Sequence, residues 1–226
     1  TKAAVGNSQG ISINARELEL ANNSSIRTDT RQIERVDGKG NAGDINIKTT
    51  GDIKVSGYDS SAINPTTDDS RIDSSTLGQG NAGKITIDTQ GNLSVVNNGL
   101  INNSIYETAV GNNQGISINA RELELANNSF ISTQTLQTER VDGKGNAGDI
   151  NIKTTGNIKV SGYDIASTNS TQSAIDSSTF GWGDAGKITI DTQGKLSVTN
   201  DGSIFSSITK AAVGNSQGIS INAREL

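Results

Sequence analysis

The chain repeats itself nearly word for word, and this limits the folds open to it more than any other feature. The word GISINARELELANNS begins at Gly10 and recurs at Gly115, and GISINAREL returns at Gly218, giving long periods of 105 and 103 residues. Repeats this regular fold by stacking, so a property of one unit belongs to an array. The chain is therefore expected to be a segment of a longer repetitive protein. Only 31% of the residues are hydrophobic and 3% aromatic, a composition near that of disordered chains. Such a chain orders only if nearly every apolar side chain lands inside.

The long period divides into three. Each unit opens on an apolar pair: Ile11/Ile13, Ile45/Ile47, Ile85/Ile87, Ile116/Ile118, Ile150/Ile152, Ile188/Ile190 and Ile219/Ile221. Successive pairs lie 34, 40, 31, 34, 38 and 31 residues apart. A second pair follows, as at Leu18/Leu20, Ile53/Val55 and Leu93/Val95, and then a looser apolar position such as Ile26, Ile72 or Ile101. The units run A-B-C-A-B-C-A. Within each pair apolar and polar residues alternate, which is the mark of a strand with one buried face. The stretch ARELEL has helical composition, but its counterparts TTGDIKV and TQGNLSV carry glycine and β-branched residues, so a strand is expected there too.

Three short strands per unit, with Gly and Asn corners between them, describe one coil of a parallel β-helix. The expected fold class is all-β, a solenoid with about one coil per 31–40 residues and a three-coil super-repeat of 103–105 residues. Coils start near residues 10, 43, 83, 115, 148, 186 and 218 of a single segment, 1–226. One corner column, Asn22, Gly57, Asn97, Asn127, Gly162 and Asn200, holds residues that tolerate left-handed backbone. Charges support in-register stacking. Glu19 would lie beside Lys54, Glu124 beside Lys159, and Lys48 beside Asp88, whereas Glu17 beside Asp52 is unfavourable.

The words GNAGDINIKTTGDIKVSG and GNAGKITIDTQGNLSVVN resemble the repeats of cyanobacterial exoproteins of the filamentous-haemagglutinin type, exported by two-partner secretion. The resemblance covers essentially the whole chain, although unit A replaces the Gly-Asn-Ala-Gly corner with Gly6-Asn7-Ser8-Gln9-Gly10. It implies a right-handed β-helix and a secreted rod, extracellular or at the outer cell surface, often adhesive.

Composition removes several kinds of chemistry. The chain has no cysteine and no histidine, so disulfides, thiolate catalysis and histidine-based triads are excluded. Its 24 acids and 19 bases, net −5, form no basic run, so nucleic acid is not an expected partner. No apolar stretch is long enough to span a bilayer. No cofactor or metal is expected. Calcium-binding β-rolls carry GGxGxDxUx words, and only a faint echo occurs here, at Asp37–Gly40 and Asp142–Gly145.

The coil-B insertions, from Tyr58 to about Arg71 and from Tyr163 to about Ser173, differ from each other within an otherwise constant frame. Loops on a rigid scaffold are where recognition usually resides. Tyr58, Asp59, Asn64, Asp68, Asp69, Tyr163, Asp164 and Asn169 are accordingly the candidate surface-binding residues. A polysaccharide-degrading site would draw on Asp68, Asp69, Asp73 and Arg71, but the second copy has no acid matching Asp68 or Asp69. No catalytic residue is therefore assigned. Trp182, Phe180 and Phe205 are expected to fill the core or a groove. The expected function is a non-catalytic fibre shaft or adhesin stalk that self-associates end to end or laterally. The alternatives are an adhesin binding extracellular polysaccharide or a cell surface through the coil-B loops, and a polysaccharide-degrading enzyme.

Overall fold

The structure is a computed structural model and describes residues 5–30, 32–33, 36–37, 39–57, 69–106, 109–136, 144–162, 172–209 and 212–226. None of these residues is helical. The strands in chain order are β1 (Ile11–Ala15), β2 (Leu18–Ala21), β3 (Ser25–Thr30), β4 (Gln32–Ile33), β5 (Val36–Asp37), β6 (Ile45–Thr49) and β7 (Ile53–Ser56). There follow β8 (Ser70–Thr76), β9 (Ile85–Thr89), β10 (Leu93–Val96), β11 (Gly99–Ile105), β12 (Ile116–Ala120), β13 (Leu123–Ala126) and β14 (Phe130–Thr135). The last are β15 (Ile150–Thr154), β16 (Ile158–Ser161), β17 (Ser173–Thr179), β18 (Ile188–Thr199), β19 (Gly202–Phe205) and β20 (Ile219–Glu225).

Each strand pairs in parallel with its counterpart in the next unit, apolar residue on apolar residue: Ile11 with Ile45, Ile45 with Ile85, Ile85 with Ile116. Among the described residues the one antiparallel pair is the short β4–β5 ribbon. Register is strict because the side-chain period is two, and a slip of one residue would turn every isoleucine outward. The core is the resulting set of columns, with Ile47, Ile53, Ile87, Leu93, Ile101 and Ile131 almost wholly buried.

The sheet order corrects the expected right-handed β-helix with three independent columns of strands. The first and second strands of all units belong to one twelve-stranded parallel sheet, ordered β1-β6-β9-β12-β15-β18-β16-β13-β10-β7-β2 with β20 also on β18. This sheet turns back on itself at β18 and closes nearly into a barrel. The third strands form a separate six-stranded parallel sheet, β19-β17-β14-β11-β8-β3. The cause is local. Between β9 and β10 the chain breaks at a Gln90-Gly91-Asn92 corner, whereas the matching Gln193-Gly194-Lys195 stays extended within β18. One strand thus joins β15 through Ile188–Thr192 and β16 through Leu196–Thr199.

The Asn corners do adopt left-handed backbone, two residues at a time: Asn97 and Asn98 have φ of 51° and 63°, and Asn127 and Asn128 have 56° and 60°. The amides stack between units, Asn127 Nδ2 donating to Asn97 Oδ1 at 2.8 Å and Asn128 Nδ2 to Asn98 Oδ1 at 2.5 Å. Gly57 and Gly162, placed in the same column, are not left-handed. They belong to the units that carry the long insertions.

The Gly-Asn-Ala-Gly corner combines three requirements. Its first glycine sits at φ of 140–144° (Gly40, Gly80, Gly145, Gly183). Its asparagine accepts the backbone N–H of the next unit, as Asn41 Oδ1 does from Asn81 at 2.9 Å. Its alanine is buried, and the carbonyl of its last glycine receives hydroxyl donors from the six-stranded sheet. Thr28 Oγ1 reaches Gly43 O at 2.5 Å, Ser74 Oγ the same oxygen at 2.9 Å, and Ser177 Oγ reaches Gly148 O at 2.9 Å. In this way the inward hydroxyl of the third strand ties the corner to the core, which explains polar residues inside a stack so poor in apolar ones.

Candidate functional site

Among the candidate loop residues only Asp69 is described; Tyr58, Asp59, Asn64, Asp68, Tyr163, Asp164 and Asn169 lie outside the described residues. Asp69 sits immediately before β8 and forms an ion pair with Arg71. Residues of β8 alternate, so Ile72 and Ser74 point to the core while Arg71, Asp73 and Ser75 occupy the outer face of the six-stranded sheet. That face is itself largely covered: Asp73, Ser75, Asn102 and Ser104 are buried.

The outer face holds one connected polar network. Arg27 on β3 donates through Nη2 to Asp29 Oδ2 at 2.9 Å, and its Nε lies 3.5 Å from Asp73 Oδ2 on β8. Ser75 Oγ donates to Asp73. On β11, Asn102 Nδ2 lies 3.2 Å from Asp73 Oδ1, 3.0 Å from Ser75 Oγ and 3.0 Å from the Tyr106 hydroxyl. The register Arg27–Asp73–Asn102 across β3, β8 and β11 brings these groups together.

Burial raises the Asp73 carboxyl above its ordinary value, with Ser75, Arg27 and Asn102 pulling the other way. Burial likewise raises the Tyr106 hydroxyl, aided by the Asp73 charge. Arg71 loses hydration on burial, yet Asp69 more than offsets this and holds it above its ordinary value. Both acids that sequence placed beside Arg71, Asp69 and Asp73, are therefore near it, and each already has a cation. Glycoside hydrolysis needs two carboxyls about 5–9.5 Å apart with separate proton affinities. Here the acids are engaged in fixed pairs, an arrangement suited to holding shape and presenting polar groups.

Sequence reading missed the equivalent position in the second long repeat. The words SRIDSST and SAIDSST place Asp176 where the first repeat has Asp73, and that recurrence 103 residues apart was visible. Asp176 is buried on β17, accepting from Ser178 Oγ at 2.5 Å and from Gln134 Nε2. No ion pair reaches it from the described residues. Burial pushes its carboxyl up to about 6, against the pull of Ser178 and Gln134.

Removing the cation tests the first network. Arg27→Ala is expected to destabilise the chain by about 1–2 kcal/mol at pH 7.5, because it leaves a buried carboxylate with less compensation. Adding Asp73→Asn should recover most of the loss. Equilibrium urea unfolding of the two variants checks this.

Elsewhere on the surface, Lys54 Nζ pairs with Glu19 and Lys159 Nζ with Glu124, each at 3.2 Å, as the charge pattern anticipated. These pairs edge a shallow groove of about 400 Å³ lined by Asp52, Lys54, Asn92, Glu122 and Lys159. Trp182 corrects its sequence assignment: it is 52% exposed, on the outside of a corner, with Lys144 Nζ 6.0 Å from its ring centroid. The physical reason is position, since its column also carries Lys39, Gln79 and Val110 and faces away from the isoleucine core. Among the described residues no three His, Cys, Asp or Glu side chains are placed to hold a metal ion, and no helix is long and apolar enough to cross a membrane. No family model, no curated protein and no solved structure matches the chain.

Proposed function

We propose that this chain is a non-catalytic structural segment of a secreted fibre or adhesin stalk, displayed outside the cell or on its outer surface. The observation that carries the reading is the reuse of one docking register. The word ISINA packs on ITIDT in β12 against β9, and the same word packs on the same partner word in β20 against β18, with Ile–Ile pairing kept. A surface that receives its own repeat twice in the same way suits a shaft of many units. The engaged acids of the outer network favour mechanical rigidity over turnover. The resemblance of the GNAG words to filamentous-haemagglutinin-type exoproteins supports export by two-partner secretion. Repetition would then multiply weak surface contacts, so that avidity exceeds any single affinity.

The experiment is electron microscopy with fibre diffraction on native extracellular material labelled by an antibody to this chain. Labelled filaments with an axial repeat of about 14–15 Å, three units at ~4.8 Å, are expected. Label confined to the cell interior, or to compact particles without that repeat, would overturn the reading.

A further inference from the structure

The outward residues of the first strands form three parallel columns whose charges follow a rule. In the column just before each strand, unit B presents Asp44 and unit C presents Lys84, both exposed. Four residues on, the signs reverse: unit B presents Lys48 and unit C presents Asp88. The backbone register places these residues side by side, with Lys48 opposite Asp88 and Ile45 N bonded to Lys84 O. Unit A is neutral in both columns, with Gly10 and Asn14. The middle column is small and uncharged throughout, as Ser12, Asn46 and Thr86 show. The second long repeat restores the pattern at Asp149, Lys187, Lys153 and Asp191.

Among the described residues none of these charges is in an ion pair, and the carboxylates take neutral donors instead, Asp191 Oδ1 accepting from Asn222 Nδ2 at 2.9 Å. Asp44 Oδ1 accepts the backbone N–H of Lys84 at 2.8 Å, and Asp149 Oδ1 accepts that of Lys187 at 2.8 Å, so neither carboxylate takes the neighbouring ammonium. Lys48 and Asp88 stand in register without closing to ion-pair distance, unlike Lys54 and Glu19 on the second strands.

We propose that this face pairs laterally with the same face of a second copy, the two stacks running parallel and in register. A two-fold axis along the stacking direction, through the middle column, exchanges the outer columns at each level. Lys48 then meets Asp44 of the second copy, Asp88 meets its Lys84, and Asn46 and Thr86 meet themselves. Every charged position finds its opposite. Sliding one copy by a single unit would set Lys48 against Lys84, so the pattern also specifies register. An antiparallel pairing would bring Arg121 of the two copies, exposed just after β12, to the same place.

The size of the face sets the strength. Seven strands at ~4.8 Å and four residue steps at ~3.3 Å give about 400 Å² per copy. A stable complex buries about 800 Å² per partner. One segment should therefore pair weakly, and pairing should strengthen in proportion to the number of repeats. The proposal deepens the fibre reading and takes from it only that copies lie side by side.

Sedimentation equilibrium of the unmodified chain at low salt should show a weight-average mass that rises with concentration above 23.4 kDa and returns to it in about 0.5 M salt. Asp88→Lys/Asp191→Lys and, separately, Lys84→Asp/Lys187→Asp should each lower the association constant at least tenfold. Mixing the two variants should restore it as a one-to-one heterodimer, because new Lys then meets new Asp across the parallel two-fold. An unmodified chain that stays monomeric at low salt overturns the pairing, as do variants that associate unchanged. Failure of the mixture to recover points to an antiparallel or unrelated contact and overturns it as well. The salt titration involves no substitution and so holds even if a variant folds poorly. The fibre reading is judged on native material, so either proposal can fail without the other.

Discussion

Gly145→Ala is expected to abolish the folded state or cost upwards of about 4 kcal/mol, the range reserved for severe, specific defects. Two causes act together. Gly145 sits at φ of 141°, where an L side chain is strained, and a Cβ there would be driven into the carbonyl oxygen of Gly111 in the preceding unit. That oxygen is backbone, so no rotamer change relieves the overlap. Gly51→Ala is the control. Its Cβ would meet Arg16 O and Glu17 Cγ at 3.0 Å, with ordinary backbone, and the contact offsets the entropic gain of alanine, so a change of no more than about 1 kcal/mol is expected. Thermal unfolding followed by circular dichroism distinguishes the two, and similar losses for both variants would refute the steric account.

The second large effect is a dependence of stability on pH, set by Asp176. Its carboxyl titrates at about 6 in the folded chain against 3.8 unfolded, because burial on β17 opposes the charge. Below about pH 3 the group is protonated in both states and costs nothing. As pH rises toward 6 the unfolded chain ionises freely while the folded chain resists, so stability falls, levelling above pH 6. Two units at 1.36 kcal/mol each put the loss at about 3 kcal/mol by pH 7.5. Asp176→Asn should remove most of this slope and leave the variant more stable than the parent at pH 7.5. Gln134 can rotate its amide to accept where it now donates, so the isosteric change leaves the local bonds satisfied. Asp73, raised by the same cause but facing Arg27, should leave a smaller residual slope. Urea unfolding at pH 4, 6 and 7.5 tests the pair. A flat profile for the parent chain would mean that Asp176 remains hydrated.

Much of the local architecture was legible in the residues. Ile45 above Ile11 and Ile85 above Ile45 follow from the alternation and the unit spacing, because only that register buries every isoleucine. Asn97 and Asn127 announced left-handed corners because few other residues adopt them cheaply. Glu19 beside Lys54 came from register alone. The polar network was legible only in part. Asp69, Asp73 and Arg71 are close in sequence, whereas Arg27, Asn102 and Tyr106 arrive from neighbouring units across 27 residues or more.

By itself, then, the sequence determined that this chain is all-β, that its units stack in parallel, and which residue of one unit lies on which residue of the next. All three follow from period, because a repeated word must meet its neighbour in a repeated way. Only the tertiary structure decided how the strand columns join. Residues 193–195 stay extended in β18 where residues 90–92 turn, and this fuses two columns into one twelve-stranded, nearly closed sheet. Near-identical words take the two shapes, so composition cannot distinguish them. The proton affinity of Asp176 was decided there too, since Asp73 and Asp176 share the word IDSST and differ in whether an arginine from another strand stands opposite.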